Sequence, residues 1–538
     1  MSPEIRILLS LGLPLLGALG IVLFRNRPNL REAVTLVTSA ILLWLVAGMV
    51  PEVLAGARPS VRLADLIPGI PLRMQVEPLG MIFAGVASLL WPINSLYSIG
   101  YMRGNDEGHQ TRYYVSFAVA IASAVGIAYS GNLVTLFVFY EVLTLSTYPL
   151  VTHHGDEEAR SAGRTYLGIL IGTSIGLLLL AIVWTYLVTG TVDFRPGGIL
   201  AGAVEGPMVG LLLFLYVFGI GKAAVMPVHR WLPAAMVAPT PVSALLHAVA
   251  VVKAGVFTVV KVVVYVFGLD LLRETASAQW FLWAAAFTVL VASIVAIRIL
   301  LSGGNLKRLL AYSTISQLSY IVLAAAILAP LSAVGAALHI TAHAFGKITL
   351  FFAAGSLYTA AHKTEIWQLD GVGKRMPWTM GAFAIGSLSM IGLPPTGGFV
   401  SKWYMLVGAF GAGAWLAVGV LVLSTLLNAG YFVPIVYRAF FRAEPDFAGA
   451  HGGGHGNPEH DHEGGGRHGN ESDDGHAGHG SGGGHDEDDH HHHVEVDHGE
   501  APWPIVLAVT ATAALTVLFF FYPDVVIDLG YAMIGAER

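Results

Sequence analysis

Apolar runs long enough to cross a bilayer recur along most of this chain, separated by short polar segments. They fall at about 5–24, 32–50, 78–100, 113–130, 132–151, 165–188, 207–226 and 240–267, then at about 280–301, 309–329, 332–358, 379–408, 413–437 and 503–522. A spanning helix needs roughly 20 apolar residues, so the pattern predicts an all-α polytopic membrane protein of fourteen helices. Ser130-Gly131-Asn132 alone divides 113–151. The ten-residue alternation of a membrane barrel is absent, and only helices satisfy their own backbone in lipid. The first run resembles a signal peptide, but Arg25, Arg27 and Arg31 follow it, so it reads as a retained span.

Composition agrees: hydrophobic residues make up 55% of the 538 and charged residues 12%. With no cysteine, disulfides, thiolate zinc sites and cysteine-ligated iron–sulfur clusters are excluded from this chain. No glycine-rich phosphate loop follows a strand, and no cofactor site is read. Alternate loops differ in basic residues, sixteen Lys and Arg on one side against seven on the other. By the positive-inside rule the richer loops are cytoplasmic and both termini lie outside.

Residues 451–500 differ from everything around them, with thirteen His, thirteen Asp or Glu and one Arg among Gly and Ser. Such a tract cannot bury enough to fold and is expected to be a disordered cytoplasmic loop. Loose metal binding at His490, His491, His492 and His493 is one reading, a solvated insertion the other. The irregular spacing of the histidines favours the insertion.

The chemistry is inside the spans. Glu141, Lys222, Lys253, Lys261, Lys347 and Lys402 interrupt apolar stretches. A charge at mid-bilayer costs roughly 2.5–3.5 kcal/mol, so such residues bind ions, relay protons or lock a structural pair. Glu141 has Tyr140, Thr144 and Ser146 nearby and needs a cation, for which Lys222 is the natural candidate. Pro227 after Lys222 and Gly392-Leu393-Pro394-Pro395 before Lys402 break two helices, as in internally repeated transporters. His247 and Lys253 lie between these breaks. Lys261 is nearer the outer end, where a lysine snorkels. His339, His343 and Lys347 follow at four-residue intervals on one helix face. A single buried lysine would read as a strut between helices. A ladder of lysines interleaved with histidines reads better as a proton relay. Desolvation and a nearby carboxylate act in opposite directions on a lysine's proton affinity, which suits uptake and release.

The stretch GKAAVMPVHRWLPAAMVAPTPVSALLHAVAVVKAGVF resembles the core of the antiporter-like subunits of respiratory complex I and of Mrp-type cation/proton antiporters. FVFYEVLTLSTYPLV, LKRLLAYSTISQLSYIVLA, HITAHAFGKITLFFAAGSLY and IGLPPTGGFVSKWYML resemble the same family in the same order, over roughly 75–440. The resemblance implies two inverted five-helix repeats. The expected divisions are 1–110 for helices 1–3, 111–268 and 269–442 for the repeats, 443–501 for the His-rich loop, and 502–538 for the last helix. It also implies that Glu141 and Lys222 form a modulating pair, and that His247, Lys253, His339, His343, Lys347 and Lys402 make a hydrophilic axis. The implied protein is a proton-translocating subunit, closest to the Mrp D type, of a multisubunit Na+/proton antiporter in a bacterial-type inner membrane. The alternative is a membrane-arm subunit of a proton-pumping NADH–quinone oxidoreductase or a related hydrogenase, whose redox centres lie in partners. No long C-terminal lateral helix follows the last span, and the His-rich loop is not a family feature. A stand-alone divalent-metal transporter fits less well, because the spans offer lysines instead of His/Asp ligand pairs.

Deleting 451–498 is expected to leave proton-coupled transport in vesicles near that of the intact chain, since shortening a flexible loop costs little closure entropy. A large loss of transport with normal assembly would show that the insertion takes part.

Overall fold

The computed structural model describes residues 1–443, 499–536 and 538, so almost all of the His-rich insertion, His490–His493 included, lies outside the described residues. The described chain is a multi-pass helical membrane protein with twelve helices long and apolar enough to cross a bilayer. They are α1 (Pro3–Leu23), α2 (Pro28–Leu54), α3 (Pro78–Gly104), α4 (Gln110–Ala128), α5 (Leu133–Val151), α6 (Glu157–Thr189), α8 (Thr240–Phe267), α9 (Ala276–Leu301), α10 (Leu306–Ala326), α11 (Pro330–Ala361), α14 (Trp415–Phe441) and α15 (Trp503–Phe521). Two further spans expected from the apolar pattern are broken. α7 (Pro207–Gly219) gives way to a 3₁₀ turn and irregular backbone, and α12 (Pro377–Ile391) is parted from α13 (Gly397–Gly411) by Gly392–Thr396. A short helix, α16 (Asp524–Met533), follows the last span.

Local chemistry sets several boundaries. The division between α4 and α5 is made by Asn132, whose side chain accepts the Thr135 amide at 2.8 Å as an N-cap. Asp156 caps α6 in the same way through Ala159 at 2.7 Å. α6, α8 and their neighbours are not uniform: π-turns occur at Ser174–Leu178, Leu245–Val249 and Val263–Phe267. Such turns widen the helix and frequently mark functional positions.

Burial separates the centre of the bundle from its rim. α8 is buried throughout, and α10 and α11 are buried except toward their ends, whereas α6 shows Leu180, Val183 and Leu187 outward. Apolar side chains on that rim face lipid, and the ionisable residues concentrate on the enclosed helices.

One element departs from the all-helical expectation. Between α2 and α3, β1 (Ser60–Ile67) and β2 (Ile70–Gln75) form an antiparallel hairpin outside the spans. The outer edge of β2 is taken up by the turn between α4 and α5, where Gln75 donates to the Tyr129 carbonyl at 2.6 Å and Gly131 to the Arg73 carbonyl at 2.8 Å, so the rule against unpaired strands in lipid is not broken. Pro68-Gly69 at its turn was the available signal.

Gly255 fixes how α8 meets the first break. A Cβ there would lie 2.3 Å from the Lys222 carbonyl carbon and 2.3 Å from the Ala223 amide nitrogen. Gly255→Val is therefore expected to lower the thermal unfolding midpoint and the yield of assembled protein, because overpacking rigid backbone costs about 1–3 kcal/mol or more. Gly85→Val, where nothing lies within 4 Å, should change neither. Equal behaviour of the two variants would contradict this packing.

Candidate functional site

At the first break the helix leaves backbone groups without intrahelical partners, and side chains from other helices take them up. Tyr140 Oη accepts the Lys222 amide at 3.2 Å, Trp231 Nε1 donates to the Gly221 carbonyl at 3.0 Å, and Thr288 Oγ1 accepts the Met226 amide at 3.2 Å. The Lys222 side chain enters α5 instead of water. Its Nζ donates to the Tyr140 carbonyl at 2.9 Å and to Thr144 Oγ1 at 2.6 Å, and lies 3.2 Å from the centre of the Tyr140 ring.

This corrects the expected contact between Lys222 and Glu141. Both Glu141 oxygens are buried and accept no hydrogen bond, so Tyr140, Thr144 and Ser146 do not serve it, and it makes no ion pair with Lys222. The reason is helical phase. Tyr140 and Thr144 are four apart and share the face toward the break, while Glu141 is turned about 100° from Tyr140.

The centre of the bundle joins α8 to α11. Lys253 Nζ and His343 Nδ1 are 2.5 Å apart, both fully buried. One turn away, His339 contacts Ser401 Oγ at 2.8 Å and Gln317 Oε1 at 3.1 Å. One turn the other way, Lys347 donates to Ser313 Oγ at 2.8 Å. The four-residue ladder therefore reaches three different helices. His247, inside the Leu245–Val249 π-turn, packs on Phe351 with ring centres 4.8 Å apart, and neither ring nitrogen has a partner.

The second break supplies carbonyls. Lys402 Nζ donates to Met390 O at 2.7 Å and Ile391 O at 3.0 Å and lies 4.4 Å from the Tyr320 ring centre. Met390 O also accepts Gln317 Nε2 at 3.1 Å and Asn428 Nδ2 at 3.3 Å. From Asn428 the network continues through Tyr431 to Ser313, which holds Lys347, and through Tyr320 to Ser424. Gly392 ends α12 at φ +91°, and a Cβ there would meet the Lys402 stem at 2.6 Å. Ser313, Gln317, Tyr320, Ser401, Asn428, Tyr431 and the Met390 carbonyl were not singled out from sequence. Uncharged polar residues are common in spans, and a carbonyl leaves no sequence signal beyond the Gly and Pro that free it.

Lys261 does not snorkel. It is fully buried, 2.6 Å from Glu77 Oε1 and 2.7 Å from the Ser130 carbonyl. Glu77 thus contacts a buried lysine directly, which Glu141 does not.

A polar cavity of about 210 Å³ opens at the end of the bundle that carries the Lys- and Arg-rich loops, lined among others by Glu107, His154, Thr240, Lys307 and Lys363. Glu107 lies 3.4 Å from His154 and 3.6 Å from His153. Its carboxylate raises the affinity of His154 for a proton, whereas burial pushes His153 down to about 4.

Residues 130–428 match the family described as NADH:quinone oxidoreductase/Mrp antiporter, TM. The chain is similar to NADH-quinone oxidoreductase subunit N of Desulforudis audaxviator, 36% identical over 389 residues, which cover 70% of this chain and 74% of the relative. It is also similar to the A/B subunit of a probable K(+)/H(+) antiporter of Rhizobium meliloti, 31% identical over 397 residues, which cover 72% of this chain but only 38% of that longer protein. Among solved structures it matches a chain of the Mrp complex from Dietzia sp. DQ12-45-1b, with a TM-score of 0.80 at 22% identity over 99% of this chain and 97% of that one.

His247→Leu is expected to leave the thermal unfolding midpoint unchanged or raise it, because its ring makes no hydrogen bond to lose. His339→Leu should lower stability by about 1–3 kcal/mol by leaving the buried Gln317 Oε1 without its partner and removing one of two contacts of Ser401 Oγ. Thermal unfolding in detergent measures both, and the reverse order would contradict the hydrogen bonding of the two rings.

Proposed function

Because the chain belongs to the NADH:quinone oxidoreductase/Mrp antiporter transmembrane family, we propose that it is the proton-translocating subunit of a multisubunit monovalent cation/proton antiporter. The observation that carries this reading is the 2.5 Å contact of Lys253 with His343, which ties the α8 lysines to the His339–His343–Lys347 ladder in the interior. Protons move along Glu141, Lys222, His247, Lys253, His339, His343, Lys347 and Lys402. Each lysine is held by oxygens or a ring nitrogen that also stabilise a migrating proton; Lys222 stands at the first break and donates to α5, and Lys402 rests on carbonyls freed at the second.

In this reading Glu141 works through its field. Unpaired on the helix whose Tyr140 and Thr144 hold Lys222, it interacts with the ammonium through space, and any displacement of α5 changes that interaction. Residues 111–268 and 269–442 act as two repeats, each contributing one break. The Lys- and Arg-rich face is cytoplasmic, in an inner (cell) membrane of bacterial type. The 210 Å³ cavity on that face supplies water to His247, seven residues along α8 from Thr240. The partners are other membrane subunits, and Na+ is the favoured counter-ion.

The 36% identity to a NADH-quinone oxidoreductase subunit favours a second reading, a proton-pumping membrane-arm subunit of such a complex. Redox chemistry would then belong to partner subunits. Copurifying proteins separate the two: small antiporter subunits support the first, flavin and iron–sulfur subunits the second.

Glu141→Ala is expected to abolish proton transport in vesicles while the protein still assembles. Lys222→Arg and Lys402→Arg should each reduce transport to near background, because arginine keeps its proton. Near-normal transport in an arginine variant would make that lysine a structural strut.

A further inference from the structure

α8 is buried over its whole length, yet each end meets a cavity that carries charged residues. Thr240 lines the one already described. Tyr265 lines the other, of about 220 Å³ at the hairpin end of the bundle, together with Arg58, Gln75, Glu77, Phe194 and Ala532. That volume exceeds the roughly 30 Å³ share of one water several-fold. The side chain of Glu77 is 12% exposed, whereas that of Lys261 behind it is fully buried, so the carboxylate stands between the cavity and the lysine.

The Lys261 ammonium donates to the Ser130 carbonyl at 2.7 Å, with the Phe194 and Phe257 ring centres 4.4 and 5.3 Å away. Glu77 Oε1, 2.6 Å away, pairs with the same ammonium. Lys253 lies eight residues inward, about 12 Å along the helix. Phe257 stands midway, its ring packed on Phe83 at 5.1 Å, and forms an apolar step between the two lysines.

We propose that Glu77 and Lys261 form a second ion-access site, through which protons pass between water at the hairpin face and Lys253. This rests on the transport reading above. A pair that only tied α8 to α3 would need neither the cavity nor a carboxylate facing it.

The absence of cysteine allows a direct test. Ala532→Cys, at the cavity wall, is treated in oriented vesicles holding the full assembly with a charged, membrane-impermeant methanethiosulfonate. Treatment from the hairpin face should slow proton transport at least fivefold, and treatment from the opposite face should not. The unsubstituted chain should be insensitive from both. Glu77→Cys, whose thiolate keeps an anion beside Lys261, should be labelled by the same reagent from the hairpin face only, a readout that needs no transport. The double variant Glu77→Gln/Lys261→Met should assemble, judged by copurification, and transport at background. Failure to label Glu77→Cys, an unimpeded Ala532→Cys after complete modification, or wild-type transport by the assembled double variant would overturn the access site. If the unsubstituted chain moves no protons, the transport reading fails instead, and labelling of Glu77→Cys still reports whether the cavity reaches the pair.

Discussion

A cation inside this bundle must find oxygen or ring-nitrogen partners within the protein, because lipid provides none. That constraint organises the structure around its two helix breaks. Lys222 is held by the Tyr140 carbonyl and the Thr144 hydroxyl, and Lys402 by the two carbonyls that α12 frees as it ends. Broken helices are costly in lipid, so they are tolerated only deep in the bundle, where α5, α9, α10 and α14 supply groups for them. Lys261 obeys the same rule with a carboxylate and a loop carbonyl.

The enclosed residues fall into two groups with different demands. Lys222, Lys347 and Lys402 have hydroxyl or carbonyl partners that accept only, or that rotate to accept. His247 and Glu141 have none. An unpartnered polar group at such depth destabilises the fold and persists where its charge state or a transient water serves a purpose. Saturated and unsaturated sites thus sit together among the enclosed residues.

Much of this was legible in the sequence. Ionisable residues stand out against apolar runs, and Gly392-Leu393-Pro394-Pro395 and Pro227 announced the breaks near Lys402 and Lys222. Partner choice was not legible. Whether Lys222 meets Glu141 or Tyr140 depends on the phase of α5 relative to the break, which only packing decides. Lys261 read as a snorkelling lysine because its partner, Glu77, precedes it by 184 positions and caps the start of another helix. Asn428 and Gln317 were invisible for a different reason. Their importance comes from converging on Met390 O, and convergence is a property of three helices together.

Gly255 has one more consequence. Where two helices meet through side chains, rotamer changes absorb small displacements. At Gly255, α8 rests directly on the main chain of Lys222 and Ala223, with nothing compliant between. Motion of the first break is therefore passed to α8 at the stiffness of peptide planes, and Lys253, half a turn away, moves with it. In the proposed relay, the charge on Lys222 would then have two routes to the centre of the protein, a field acting through space and a rigid main-chain contact that salt and solvent leave untouched.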